Sequence, residues 1–383
     1  MNKLNPMIKK FLLVSFLLFF VNIINAQKLT QFSTDSVKFI KELNEFFIDN
    51  SANKKVAEEY MVTFGKFWKS PDFETKYRQA VYKTCNAMLQ RKLKPYPNFI
   101  NYLNAVSNCI ITKQDQYVFI NWQSCIDKIF ASKNLKSYTD FLEMSENIFS
   151  NNVFFKSPTY SYRSQQNKFT FEFDSLPKVI FPEFTLVGAS PRGDSITIEK
   201  ISGIYYPTWN KFIGKGGKLN WSRTGTSSDV YADLKRVSID CKTGGYTSDS
   251  AVFFGKQYFD KPQIGRIIDK IVTENGEPTY PRFDSYSKRL VVKNIYPNVD
   301  YDGGFGMRGN KFVGTGNPAK IIFNRNNIKF LELSSRSFTM TKDKINAKPA
   351  GVKIYLDKDS IIHPGLSFVY QVEKKNNHPF KNR

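Results

Sequence analysis

Asn210-Lys211-Phe212-Ile213-Gly214-Lys215-Gly216 recurs one hundred residues later as Asn310-Lys311-Phe312-Val313-Gly314-Thr315-Gly316. Short apolar stretches running into paired glycines read as a strand entering a turn, because glycine reaches positive φ at little steric cost. The neighbouring sequence repeats as well. Leu219-Asn220-Trp221-Ser222-Arg223 returns as Ile321-Ile322-Phe323-Asn324-Arg325, and Phe181-Pro182-Glu183-Phe184 as Tyr280-Pro281-Arg282-Phe283. Asp249-Ser250, before an apolar strand, returns as Asp359-Ser360. The order is kept while the offset drifts, as duplication with small loop insertions produces. The pattern predicts a β-hairpin element in two related units, about 181–254 and 280–360. Such units stack as a β-roll, a solenoid or tandem sandwiches.

Around these segments, residues 151–375 read as β-rich. Phe169, Phe171 and Phe173 alternate with Thr170 and Glu172, the period-two signature of a strand. Further strands are expected at 179–181, 196–201, 219–221, 237–239, 251–254, 290–292, 321–323, 352–356 and 368–372, with a helical insertion at 264–272. In each copy the aromatic Trp221 or Phe323 and the basic Arg223 or Arg325 lie two residues apart, so a strand would put them on one face.

Residues 28–150 have helical periodicity instead. Thr34-Asp35-Ser36 offers a cap before Phe39, Leu43, Phe46 and Phe47, and Ser70-Pro71 offers a cap with Pro at the first helical position. Apolar stripes follow at Val56 to Trp68, Phe73 to Met88, Phe99 to Ile110, Trp122 to Phe130 and Phe141 to Phe149. Six helices joined by short links predict antiparallel hairpins, as a bundle or a short α-solenoid. The fold class expected is therefore α+β and multidomain: an all-α half, then an all-β repeat region.

The first 26 residues read as a secretory signal peptide. Lys3, Lys9 and Lys10 precede an apolar run from Phe11 to Ile24, and Ala26 marks a cleavage site before Gln27. Export through the leader implies the periplasm, the outer-membrane periphery or the exterior. The net charge is +22, of which the three leader lysines account for 3, leaving +19. That surface favours anionic lipid, lipopolysaccharide or acidic glycan. Nucleic acid is not expected as a partner, because the excess is mostly Lys spread along the chain. An exposed face of the helical half would suit another envelope protein. Cys109 and Cys125 are a possible disulfide in an oxidising compartment. A polar tail follows at 376–383.

Ala232-Asp233-Leu234-Lys235-Arg236-Val237-Ser238-Ile239-Asp240, among short strands with Asp-bearing turns in an exported chain, resembles the OstA-like β-roll domains of lipopolysaccharide transport. That resemblance implies an open trough shielding acyl chains, with some of Phe169, Phe171, Phe173, Trp221 and Phe323 accessible in a groove.

Catalytic patterns are sparse. His363 and His378 are the two histidines of the chain, and neither lies in a zinc or triad pattern. Gly304-Phe305-Gly306-Met307-Arg308-Gly309 matches GxGxxG, yet it runs into the β repeat rather than a helix. Asn298-Val299-Asp300-Tyr301-Asp302-Gly303 lacks the closing acid of a calcium loop. Arg192-Gly193-Asp194 reads as a turn. Glu172, Asp174, Glu183, Asp240 and Glu332 could supply a glycosidase pair, but nothing singles one out. No catalytic, cofactor or metal residue is assigned. The ligand surface expected is Tyr205, Tyr206, Trp209, Trp221, Arg223, Phe323 and Arg325. The function expected is a non-catalytic structural or binding protein of the cell envelope. The alternatives are lipid handling, a carbohydrate-active enzyme and a glycan-binding module.

Overall fold

The computed structural model describes residues 29–132, 134–256, 258–271 and 278–371; the leader and the polar tail lie outside the described residues. Among the described residues, six α-helices precede a seventeen-stranded antiparallel sheet. The chain divides into two compact units at Lys113/Gln114. The change from helix to strand comes later, after Asn151.

The first unit holds α1 (Ser36–Asn50), α2 (Lys54–Trp68), α3 (Thr75–Gln90) and α4 (Ile100–Ile111). Asp35 caps α1 by accepting from Lys38 N at 2.8 Å. The Ser70-Pro71 start is not used: α3 begins at Thr75, because Phe73 N donates to Ser70 O in a turn that buries Phe73. Phe39, Phe64, Trp68 and Phe73 pack as rings 4.8–6.1 Å apart along the chain Phe39–Trp68–Phe73–Phe64. Trp68 Nε1 donates to Ser36 Oγ at 2.9 Å. The buried ring thereby keeps its polar end satisfied.

The second unit opens with α5 (Gln116–Ala131) and α6 (Leu135–Asn151). These two helices pack on the sheet, which is why they join it: Phe141 and Phe149 meet the Phe171 ring at 6.0 and 5.7 Å. The strands are β1 (Val153–Lys156), β2 (Ser161–Ser164), β3 (Thr170–Phe173), β4 (Pro177–Ala189), β5 (Ser195–Tyr206) and β6 (Lys211–Asn220). Then come β7 (Val230–Asp233), β8 (Arg236–Asp240), β9 (Gly245–Gly255), β10 (Gln263–Lys270), β11 (Arg282–Ser285) and β12 (Leu290–Tyr296). The last are β13 (Val299–Arg308), β14 (Lys311–Arg325), β15 (Ile328–Met340), β16 (Lys344–Tyr355) and β17 (Ser360–Gln371). Among the described residues every pairing is antiparallel and joins strands that are neighbours, or neighbours but one, in sequence. The sheet is a meander.

One face of it is filled with rings. Phe154 lies 5.2, 5.0 and 5.9 Å from Phe181, Tyr205 and Phe212. Farther on, Phe253 meets Trp221, Phe283 and Phe305 at 5.2, 4.9 and 5.4 Å. Glycines make room for this layer. A Cβ on Gly214 would sit 2.6 Å from Ile201, and one on Gly314 would sit 2.6 Å from the Tyr301 ring.

The matched segments start corresponding strands, β6 and β14, each paired with the strand before it. Beyond Asn220 they diverge. Ser222–Thr224 forms a short 3-10 turn closed by Gly225 at φ 75°, so Trp221 and Arg223 do not share a strand face. Phe323 and Arg325 do lie on β14. Asp249-Ser250 falls inside β9, whereas Asp359-Ser360 sits at the start of β17. The helix expected at 264–272 is instead β10, where burial alternates from Gly265 through Lys270 as a strand requires.

Candidate functional site

The cross-strand register defines two kinds of ladder. Tyr205, Phe212, Ile239, Tyr246 and Asp269 pair in succession across β5, β6, β8, β9 and β10, and all five are buried. The adjacent ladder is Tyr206, Lys211, Asp240, Gly245 and Lys270. Successive residues of a strand point to opposite faces, so this second ladder looks outward. Lys211, Asp240 and Lys270 are exposed accordingly. Beside it run Ile213, Ser238, Thr247, Ile268 and Arg282, also on the open face.

Five strand rows at roughly 4.8 Å spacing make this face about 19 Å across, with Lys211 and Lys270 about 14 Å apart. Trp209 stands at one margin, on the tip of the β5–β6 hairpin, 56% exposed. Its ring lies 5.2 Å from that of Tyr206 at an interplanar angle of 30°. Tyr280 stands toward the other margin, with the Arg282 guanidinium 4.4 Å from its ring centre. Trp209, Lys211, Ser238, Asp240, Thr247, Lys270 and Tyr280 line a hollow of about 430 Å³. Pro207, Thr208 and Asn210 of the same hairpin line a second hollow of about 760 Å³, so the hairpin bearing Trp209 lies between the two. Tyr205 Oη donates to Asn210 Oδ1 at 3.0 Å and fixes that tip from below.

Of the residues expected to form a ligand surface, the structure brings together Tyr206 and Trp209. Tyr205, Trp221 and Phe323 are core side chains, at 1%, 0% and 5% exposure, because they point into the ring-filled layer. The Trp221 indole N–H is used internally, donating to Gly309 O at 3.0 Å. Arg223 is held by Asp269 and by Ser195 O. Arg325 lies over the Phe330 ring at 5.1 Å. Of the other rings expected in a trough, Phe169 and Phe171 are buried, while Phe173 is half-buried and lines the larger hollow.

Beneath the outward face sits Asp269, fully buried and paired with Arg223. Burial pushes its carboxyl up to about 6, against the pull of Arg223 and of the Lys270 amide, which donates to it at 2.8 Å. All four cysteines are free thiols and buried. Burial holds the Cys109 and Cys125 thiols up at about 12 and those of Cys85 and Cys241 higher still, far from the thiolate a nucleophile needs.

Of the carboxylates weighed as catalytic candidates, Asp174 and Glu332 are held in ion pairs. Asp174 pairs with Lys178, and Glu332 with Lys329 and with Lys320 at 2.9 Å. Asp300 and Asp302, in the stretch with calcium-loop spacing, pair with Lys293 at 2.8 Å and Arg289 at 2.6 Å. The GxGxxG glycines lie in β13 and the turn that ends it. His363 accepts from Gly365 N through Nδ1 at 3.3 Å, and His378 lies outside the described residues.

Sequence reasoning did not assign Lys211, Lys270, Tyr280 and Arg282 to a ligand surface, and it weighed Asp240 only as one of a catalytic carboxylate pair. Their alternation was visible, but the register that aligns them across five strands was not. No helix among the described residues is long and apolar enough to cross a membrane. No known protein family, curated protein or solved structure matches the chain.

Proposed function

We propose that this is an exported, non-catalytic binding protein of the cell envelope whose outward β face holds an acidic glycan. The observation that carries the reading is the exposed Trp209–Tyr206 pair beside the Lys211–Asp240–Gly245–Lys270 ladder. An indole presents a flat apolar face to a sugar ring, two lysines draw carboxylate or sulfate groups, and Asp240 accepts from hydroxyls. Gly245 leaves the middle of the ladder without a side chain. The hollow falls within the size range usual for small-ligand sites. The leader supports export, and the net charge supports an anionic partner.

In this reading the β region is a duplicated meander, with the β6 and β14 segments as corresponding parts. The lipid-handling alternative needs an accessible apolar trough, and burial of Phe169, Phe171, Trp221 and Phe323 weighs against it. The enzyme alternative needs two converging free carboxylates, and the ion pairs of Asp174 and Glu332 weigh against those two as its members.

The test is calorimetric titration of the chain without its leader using polygalacturonate, neutral dextran and phosphatidylglycerol vesicles. The expected result is binding to polygalacturonate that weakens with salt and is lost in Trp209→Ala and Lys211→Glu. Binding to vesicles alone, or to polygalacturonate regardless of Trp209, refutes the proposal.

A further inference from the structure

β17 differs from every strand before it. Of the seventeen strands it alone carries no Lys, Arg, Asp or Glu, in a chain where such residues make up 23%. Among the described residues it pairs with β16 only. Sheet edges in natural proteins are usually short, charged or covered, because a free row of N–H and C=O groups recruits another strand. β17 is twelve residues long and largely exposed, and Pro364 removes only one donor. Apolar side chains cluster on it and beside it: Ile361, Ile362, Leu366 and Val369 on β17, with Ile354 and Leu356 from the strand and turn before it. The ring layer also runs out here. Phe323 meets Tyr370 at 5.1 Å and Phe368 at 6.3 Å, and both outer rings are only half-buried.

We propose that β17 pairs antiparallel with β17 of a second copy of this chain, extending the sheet across a two-fold axis. The charges flanking the strand select that occupant and that direction. Asp357-Lys358-Asp359 precedes Ser360 and carries a net −1, whereas Lys342-Asp343-Lys344, also exposed, carries a net +1 and lies at the other end, where Lys344 pairs with Gln371. Antiparallel pairing brings the acidic turn of one copy to the basic turn of the other; parallel pairing would set like against like. The strands themselves meet without charge, and charge enters the seam at its two ends, where opposite signs meet. In an isologous contact the same patch serves both partners, and an uncharged strand with opposite charges at its two ends is complementary to itself. This inference is independent of the proposed glycan face, which uses β5 to β11.

The test is sedimentation velocity of the chain without its leader, across the micromolar range, with hydrogen exchange on the dilute species. The expected result is a reversible dimer with a dissociation constant on the order of micromolar. Ile362→Lys and Val369→Lys, at sites 67% and 57% exposed, should each weaken it at least about tenfold without changing the melting temperature. A single cysteine replacing Leu366 or Ser367 should give a disulfide-linked dimer on mild oxidation, since the native thiols are buried. Any of three results overturns the proposal. One is a monomer at every concentration. Another is a dimer indifferent to both lysine substitutions. The third is a monomer whose β17 amides are already protected along both edges, which would mean that the chain covers its own strand.

Discussion

Asp269→Asn is expected to stabilise the second unit at neutral pH and to lose that advantage in acid. The carboxyl is buried in the ring-filled layer, with its pKa raised from 3.8 to about 6. A raised carboxyl binds its proton more tightly folded than unfolded. Its stabilising contribution is therefore complete below pH 3.8 and is lost as the pH rises through about 6. The difference of about 2 pKa units corresponds to about 3 kcal/mol withheld from the folded state at pH 8 relative to pH 3.8. Asparagine is neutral throughout and nearly isosteric, so it carries no such penalty. Arg223 loses an ionised partner in the variant, but its side chain is 29% exposed and water can take the place. Protonation of Asp269 in the parent removes the same partner in acid, so the pH dependence of the difference isolates this one group.

The assay is calorimetric melting of both proteins from about pH 4 to pH 8, at one ionic strength. The gap in Tm between variant and parent should widen by about 6–12 °C toward the alkaline end, taking roughly 2–4 °C per kcal/mol for a unit of this size. A gap that stays constant, or that widens toward acid, refutes the argument. The latter would mean that Arg223 outweighs burial and that the pair is a net stabilising ion pair.

Other outcomes follow from the same geometry. Glu332→Gln should show the opposite pH trend: Lys329 and Lys320 outweigh burial and hold that carboxyl below its usual range, so the stability it contributes is present at neutral pH and lost on acidification, which matched melts would reveal. Trp221→Ala should cost about 3–5 kcal/mol in urea unfolding, through the cavity left and the lost bond to Gly309 O. Trp209→Ala, by contrast, should stay within about 0.5 kcal/mol of the parent while abolishing the heat of polygalacturonate binding. Gly314→Ala should cost about 1–3 kcal/mol because its Cβ would lie 2.6 Å from the Tyr301 ring. Adding Tyr301→Leu should recover part of that loss, and a double-mutant cycle in urea measures how much.

The local elements were legible where one short-range signal dominates. Asp35 caps its helix, and the apolar stripes between Phe39 and Phe149 fall on helices except at their edges, where Phe73 sits in a turn. Strand existence was legible too, but strand length was not. Glycines and lysines that read as breaks in residues 211–220 are interior to β6, because they pass beneath rings or face solvent. Ile264 to Ile268 read as helical because paired isoleucines fit either period, and pairing with β9 and β11 decides for a strand. The candidate face was half legible. Trp209 and Tyr206 were named from sequence, but Trp221 was misplaced because a 3-10 turn at Ser222–Thr224 ends its strand. Lys211, Asp240 and Lys270 come together only through a register spanning some sixty residues, which no local pattern encodes.

Pairing confined to neighbours, or neighbours but one, has a consequence for how this sheet is made. No row waits for a distant segment before it can close, so the entropy of long loops is never incurred. Sheets are slow to fold chiefly when their contacts are remote in sequence. This one can be laid down hairpin by hairpin in the order in which the chain emerges from a ribosome or a pore, each new row templated on the last. The same linearity makes a severe lesion local in kinetic terms. A substitution that stalls β13 would leave β4 to β6 free to close on schedule and would arrest growth downstream, giving a truncated but ordered product rather than a wholly unfolded chain.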